Sequence, residues 1–483
     1  MSWFLIIISF VFFLLRLPSL LEPHWYGDEG IYQAIGMSIN NGSLLYKDIW
    51  DNKPPFLYLL YAIFRSDQFT VRFVSLIFGL LSVIVFFFLS KKLFSGPPGS
   101  TKVHFLTTTI FALLFGLPIV EGNIANAENF MLLPILIAAL LIFSMSSRKF
   151  KLFLAGILVS LAFLFKIVAV FDFLAFLTFF FILNLPLKFN VSLKKEKKFL
   201  VTFAQKAAPY IFGFLIPIFI VILFFLINGA IADLFKATFS SNVGYVGWKN
   251  KLIIPQGLLI VKSILLLTSI VFIAKKRELL DKKLIFILLW FVFSLFNAFF
   301  SERPYTHYLL VLIPSFSLML GLLFWKNSFR RLIAALLVVS IVLVFKNFDF
   351  YKKTVVYYQN FTSFVLGAKS VSSYRAFFDK RTPIDYEIAM YIKSKIRKKD
   401  SIFVWGNNAQ LYKMIERVPP GKYIVAYHIT GYKDGLENTK EAVDSVKPRF
   451  IIIMPDQKPI PFALNRYSER FNINRVVIYE SLF

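Results

Sequence analysis

Two short stretches near the start of the chain gather acidic, basic and aromatic side chains in otherwise apolar surroundings. The first reads Pro23-His24-Trp25-Tyr26-Gly27-Asp28-Glu29-Gly30-Ile31-Tyr32, the second Tyr46-Lys47-Asp48-Ile49-Trp50-Asp51-Asn52-Lys53-Pro54-Pro55-Phe56-Leu57-Tyr58. Ionisable groups beside a membrane are costly, so such a cluster is a candidate functional site. Adjacent carboxylates entering a helix point in different directions. One of Asp28 and Glu29 can take a proton from a hydroxyl acceptor while the other contacts ligand or metal. The same pair also suits an N-cap and acidic first turn for a helix starting near Gly30. Pro54 and Pro55 fix an extended entry into the next apolar segment and hold Lys53 at a loop–helix boundary. A lysine there binds phosphate as a point charge, or it snorkels as an interfacial anchor beside Trp50 and Tyr58.

Further candidates are scattered along the chain. Glu121 and Glu128 flank a short turn, and Glu128 lies at or just inside an apolar span, where a carboxylate is costly. Lys166 breaks a long apolar run; Asp172 or a phosphate could neutralise it, and Arg16 poses the same choice at the end of the first span. Arg303-Pro304-Tyr305-Thr306-His307-Tyr308 puts a guanidinium, an imidazole and two phenols on one surface. Arginine suits bidentate phosphate binding, though Tyr and Arg also anchor interfaces. The chain has four histidines, none at metal-site spacing, and no cysteine. A dedicated zinc site is therefore not expected, and there is no disulfide framework or cysteine nucleophile.

The elements that must position these groups are membrane helices. Of 483 residues, 58% are hydrophobic and 17% charged, with mean hydropathy +0.68, which excludes an ordinary soluble enzyme. Spans of about 20 apolar residues are read near 2–20, 70–90, 103–120, 127–146, 150–165, 167–184, 207–228, 256–274, 284–300, 306–324 and 331–346. The first is read as a retained helix rather than a removed signal peptide.

The net charge of +27 collects in loops such as Lys91-Lys92, Arg148 to Lys151, Lys194 to Lys198, Lys275 to Lys283 and Lys326 to Arg331. This is a positive-inside pattern rather than a nucleic-acid surface. With the N-terminus inside, eleven spans leave the basic loops inside. The acidic first loop, the 121–129, 229–255 and 301–307 connections and everything after 346 fall outside. A single span over 150–184 would put the later basic loops on the wrong side. The fold class expected is therefore an α-helical polytopic membrane protein, about eleven transmembrane helices with N-in/C-out topology, and a small external α/β domain. Residues 1–346 form the membrane domain, with loop 21–69 carrying the chemistry. In 347–483, Ile384–Lys398 has helical periodicity, and Ser401–Trp405, Phe450–Met454 and Arg475–Tyr479 read as short strands.

Gly27-Asp28-Glu29-x-x-Tyr32 followed by Tyr46-x-Asp48-x-x-Asp51-x-Lys53-Pro54-Pro55-x-x-Tyr58 resembles the polytopic glycosyltransferases of the C superfamily. It is most similar to the protein O-mannosyltransferases and the lipid A aminoarabinose transferase branch. Ala127-Glu128, Leu161–Lys166 and Arg303-Pro304-Tyr305-x-His307-Tyr308 are further matches. Ile402-Phe403-Val404-Trp405-Gly406, Tyr412 and Arg417-Val418-Pro419-Pro420 resemble the external domain of bacterial members.

The resemblance implies transfer of a sugar from a polyprenyl phosphate to a lipid, glycan or protein acceptor, at the outer face of the plasma (inner) membrane. Asp28 would be the catalytic carboxylate, with Glu29 helping to position acceptor or donor. Lys53, Lys166, Arg303 and His307 would bind the donor phosphate. Tyr32, Asp48, Asp51, Tyr58, Glu128, Tyr305 and Tyr308 would position the substrates. No nucleotide or other cofactor is required; carboxylates of the first two external loops could hold a divalent cation, but nothing in their spacing fixes one.

A transporter or flippase of lipid-linked sugars is the competing reading. It would place charges at mid-membrane and show internal symmetry, whereas here they collect at one interface. An oligosaccharide ligase would favour a larger late loop over an acidic first one. No Gly-x-x-x-x-Gly-Lys-[Ser/Thr] loop is present for an ATP-driven pump.

Overall fold

Apolar helices form at each of the eleven stretches read as spans. They are Ser2–Arg16, Gln68–Leu93, Val103–Gly116, Ala127–Phe143, Lys149–Phe165, Val170–Asn184, Leu193–Ile227, Gly257–Lys276, Lys282–Ala298, Ile313–Leu322 and Arg330–Asn347. The structure is a computed structural model that describes residues 2–95, 102–143, 149–185, 193–243, 251–252, 254–255, 257–325, 327–455 and 457–482. Arg148 and Lys326 lie outside the described residues, as do the side chains of Lys194, Lys195, Lys197 and Lys198. Among the described residues, Trp3–Leu21, Gln68–Leu93, Ile167–Asn184, Phe199–Ile227 and Gly257–Lys276 are long and apolar enough to cross a membrane. The fold class read from the sequence holds: apolar helices dominate and a small sheet closes the chain.

The chain divides into two compact units. The first comprises Met1–Leu17, Ser75–Asn228 and Thr238–Thr354. Large apolar side chains point outward along its helices, among them Phe212 and Phe219 at 63% exposure, as in a protein solvated by lipid rather than water. Inside it, helices Lys149–Phe165 and Leu193–Ile227 meet at glycines. A Cβ on Gly156 would lie 2.1 Å from the carbonyl oxygen of Tyr210, and one on Gly213 would lie 2.1 Å from that of Phe153. Small residues let backbones approach where lipid supplies no hydrophobic drive for association. The run 150–184 is two helices, separated at Lys166, whose backbone is extended (φ −155°, ψ 126°).

The second unit comprises Pro18–Val74, Gly229–Ala237 and Val355–Phe483. By packing, the whole 21–69 loop thus falls in one unit with the C-terminal residues, although composition alone sets it within the membrane domain. The Trp50 N–H donates to the Lys422 carbonyl at 2.9 Å, and the Gly27–Asn40 helix packs so tightly on Gln410–Ile415 that a Cβ on Gly30 would lie 2.5 Å from the Gln410 nitrogen. Such long-range closure leaves no periodicity in the sequence. The C-terminal sheet orders its strands as Ile402–Trp405, Phe450–Ile453, Val476–Ser481 and Tyr467–Ile473. The first pair is parallel and the others antiparallel. Three of these strands match the runs expected. The fourth, Tyr467–Ile473, escapes sequence pattern because its residues, YSERFNI, include four polar ones and it is mostly exposed. The expected helix near 384–398 spans Thr382–Lys395.

Candidate active site

The helix carrying Asp28 and Glu29 begins at Gly27, earlier than the sequence suggests, with both carboxylates in its first turn and no side-chain cap. Acidic groups suit the positive end of a helix, but the two meet different fates. Glu29 is 3% exposed. Its carboxylate accepts from Arg72 Nε at 3.1 and 3.2 Å and also pairs with Arg72 Nη2. Arg72 in turn donates to the Ser19 carbonyl at 2.8 Å and pairs with Glu22 at 3.2 Å. Glu22 accepts from the Tyr357 hydroxyl at 2.6 Å and the Trp25 indole at 2.8 Å. This buried network locks the start of the helix in place. It is invisible in the sequence, because Glu22, Arg72 and Tyr357 are far apart and carry no motif.

Asp28 is the exposed partner, its side chain 39% accessible. Its Oδ2 accepts from the Tyr32 hydroxyl at 3.0 Å, one helical turn away, and lies 3.7 Å from Lys53 Nζ. Lys53 Nζ also lies 4.0 Å from Asp51 Oδ2 and 4.8 Å from the Tyr32 ring centroid, a cation–π distance. Pro55 starts the Pro55–Ile63 helix, with Pro54 as its cap, where a missing N–H costs nothing. The Lys53 carbonyl accepts from Tyr46 at 2.7 Å, and its N–H donates to the Tyr58 hydroxyl at 3.2 Å. Tyr58 donates to buried Asp51 at 2.8 Å. Burial, then Asp28, pushes the Tyr32 hydroxyl well above its usual range, and burial, then Asp51, does the same for Tyr58, so both stay donors. Asp48 stands apart: it is exposed and closes its own turn by accepting from Leu44 N–H at 2.7 Å.

His428, which no sequence pattern singles out, sits behind this cluster. Its Nε2 is 4.0 Å from Asp51 Oδ1, and its ring meets Trp50 edge-on at 5.0 Å. Burial pulls its pKa down to about 4 against the opposing pull of Asp51, so the imidazole is neutral at ordinary pH. A lone histidine so distant in sequence from the motif gives no signal.

The first unit holds a second charged group. Glu128, 2% exposed in the first turn of Ala127–Phe143, accepts from Lys166. His307 shares a hydrogen bond with Glu121 at 3.1 Å and lies 3.9 Å from Glu128. The Thr306 hydroxyl donates to Glu121 at 2.8 Å. Lys166 Nζ stands 4.3 Å over the Tyr308 ring, and the Tyr305 and His307 rings stack at 5.7 Å. Arg303 lies half-buried on the same connection. Glu128 thus neutralises Lys166; Asp172, the neutraliser suggested by sequence proximity, instead accepts from the Trp290 indole at 2.8 Å. Among the described residues, no cluster of three or more His, Asp or Glu side chains is arranged to hold a metal ion.

Residues 53–205 match the family model described as dolichyl-phosphate-mannose-protein mannosyltransferase. The matched segment covers about a third of the chain and takes in Lys53, Tyr58, Glu128 and Lys166. The resemblance read from the motifs is borne out at this level. No curated protein matches the chain in sequence. Among solved structures, AglB oligosaccharyltransferase from Archaeoglobus fulgidus, in complex with an inhibitory peptide and a dolichol-phosphate, is similar at 12% identity. That match has a TM-score of 0.47 and covers 94% of this chain and 69% of that one. The A. fulgidus oligosaccharyltransferase in complex with Zn and sulfate is similar at 11% identity and TM-score 0.47, covering 99% and 73%. ArnT from Cupriavidus metallidurans, bound to undecaprenyl phosphate, is similar at 13% identity and TM-score 0.44, covering 99% and 98%.

Proposed function

We propose that the protein is an integral-membrane glycosyltransferase that moves a sugar from a polyprenyl phosphate to a hydroxyl-bearing lipid, glycan or protein, at the outer face of the plasma membrane. The observation that carries this reading is Asp28, the exposed carboxylate beside Tyr32 and Lys53, next to a mannosyltransferase-family segment that begins at Lys53. Asp28 takes the acceptor hydroxyl proton as the new bond forms at the anomeric carbon. The bond from that carbon to the phosphate oxygen breaks, and the lipid phosphate leaves with the electron pair. Lys53 offsets the charge that develops on it, while Tyr32 and the Tyr58–Asp51 pair fix the approach. Glu29 holds the helix through Arg72 and does not itself touch substrate. Lys166, His307 and Arg303 are phosphate ligands of their own unit, with Glu128, Tyr305 and Tyr308 orienting them.

The test uses membranes carrying the chain and a labelled polyprenyl-phosphate hexose or pentose. Asp28→Asn should insert normally and lose transfer by about 10²–10⁴-fold, the range for a general base. Transfer at the wild-type rate by Asp28→Asn would falsify the assignment.

A further inference from the structure

The hairpin joining the last two strands carries an arginine where glycine belongs. Ile473 pairs with Val476, leaving a two-residue loop of Asn474 (φ 49°) and Arg475 (φ 71°). Two positive φ values define a type I′ turn, which strongly favours Asn followed by Gly. Asn474 conforms, but Arg475 holds a left-handed backbone that a Cβ resists. A residue kept in a disfavoured conformation points to a use for its side chain.

That use lies beside the turn. Arg475 and Asn474 line a cavity of about 230 Å³ together with Arg381, Asp385, Ile384 and Pro455. Pro455 follows the Phe450–Ile453 strand. Asp385, 2% exposed, is held by residues that follow the parallel Ile402–Trp405 strand: its carboxylate accepts from Asn408 at 3.0 and 3.2 Å and from Gln410 at 2.8 Å. The cavity thus sits off the carboxyl ends of the two parallel strands, where open α/β sheets receive ligands. Burial raises Asp385 to about 6, and the buried Gln410 Oε1 has no hydrogen-bond partner among the described residues. Two guanidinium groups, Arg381 and Arg475, line it beside Asp385, with Asp379 on the same turn accepting from the Arg381 N–H at 2.7 Å; the paired guanidiniums suit a phosphate or carboxylate. Ile384 and Pro455 add an apolar face. The volume falls below the roughly 300–1,000 Å³ of drug-sized sites, which fits a single ring.

We propose that this cavity binds one anionic sugar residue, its phosphate or carboxylate held by Arg475 and Arg381 and its hydroxyls by Asn474 and Asp385. Its lining does not include Asp28, Tyr32 or Lys53.

Titration calorimetry on the full chain in detergent at neutral pH tests it. The probes are glucose 6-phosphate and glucuronate, with glucose as the neutral control and inorganic phosphate as the bare anion. Both anionic sugars should bind at least tenfold more tightly than either control. Arg475→Gly should weaken them at least tenfold while keeping or raising the melting temperature, because glycine relaxes the turn. Arg381→Gln should weaken them likewise. Wild-type affinity in Arg475→Gly overturns the proposal, as do glucose or inorganic phosphate binding as tightly as the anionic sugars, or no binding of any probe.

Discussion

His428 shows how a single buried side chain links the candidate site to acidity. Its folded pKa is near 4 because burial disfavours the charged ring, whereas the unfolded value is about 6.5. Between these values the unfolded chain binds a proton that the folded chain refuses. Stability is therefore complete above about pH 6.5 and falls as pH drops towards 4, by up to about 3 kcal/mol from this residue. His24 is also held near 4, by burial first and then by Arg72, and acts in the same direction. His428→Leu should flatten a good part of the acid slope of the melting temperature between pH 6.5 and 4; an unchanged slope would remove His428 from this role. At this scale the sequence is informative wherever neighbours in the chain are neighbours in space. Asp28 and Tyr32 lie one helical turn apart, Lys53 follows across the rest of that helix and the next connection, and the three do come together. Glu29 reads with them because it is adjacent to Asp28, yet its partner is 43 residues away, and nothing local reveals which of two neighbouring acids will be buried.

Between elements, the forces differ in the two units. In the second, Arg72 satisfies two buried carboxylates at once, so Arg72→Met would leave Glu22 and Glu29 charged and unmatched. Breaking a buried pair in this way costs about 3–5 kcal/mol. The melting temperature should drop sharply and be largely restored by adding Glu22→Gln and Glu29→Gln; a single mutant that melts like wild type sinks the idea. In the first unit, the Gly156 and Gly213 crossing depends on bare backbone. Gly156→Ala and Gly213→Ala should each lower the melting temperature. Because both act at one crossing, the double variant should lose less than the sum; full additivity would argue against a shared contact. Hydropathy reveals that these helices exist. It cannot reveal which ones touch, because a lipid-facing and a helix-facing phenylalanine look alike in sequence.

For the whole molecule, sidedness is the main expectation that charge pattern alone carries. The chain has no cysteine, so single introduced thiols report position without background. A cysteine at Gly42, on the exposed turn before Lys53, should react with an impermeant maleimide added outside intact cells, and one at Lys91 should react only after permeabilisation. The reverse pattern would invert the topology and move the proposed chemistry to the cytosol. The division into two packed units is less legible than the spans. The link from residues 18–74 to 355–483 is made by backbone contacts such as Trp50 to Lys422 and by the bare face of Gly30, none of which has a compositional signature.

That last contact bears on the order in which the protein is made. The stretch bearing Asp28 is synthesised well before Gln410–Ile415, against which Gly30 is pressed. Until Gln410–Ile415 emerges, the candidate base therefore has no scaffold behind it. A chain cut short before Gln410 would carry every residue of the acidic-aromatic motif and still lack the surface that sets its angle, so such a copy would be without the proposed transfer activity.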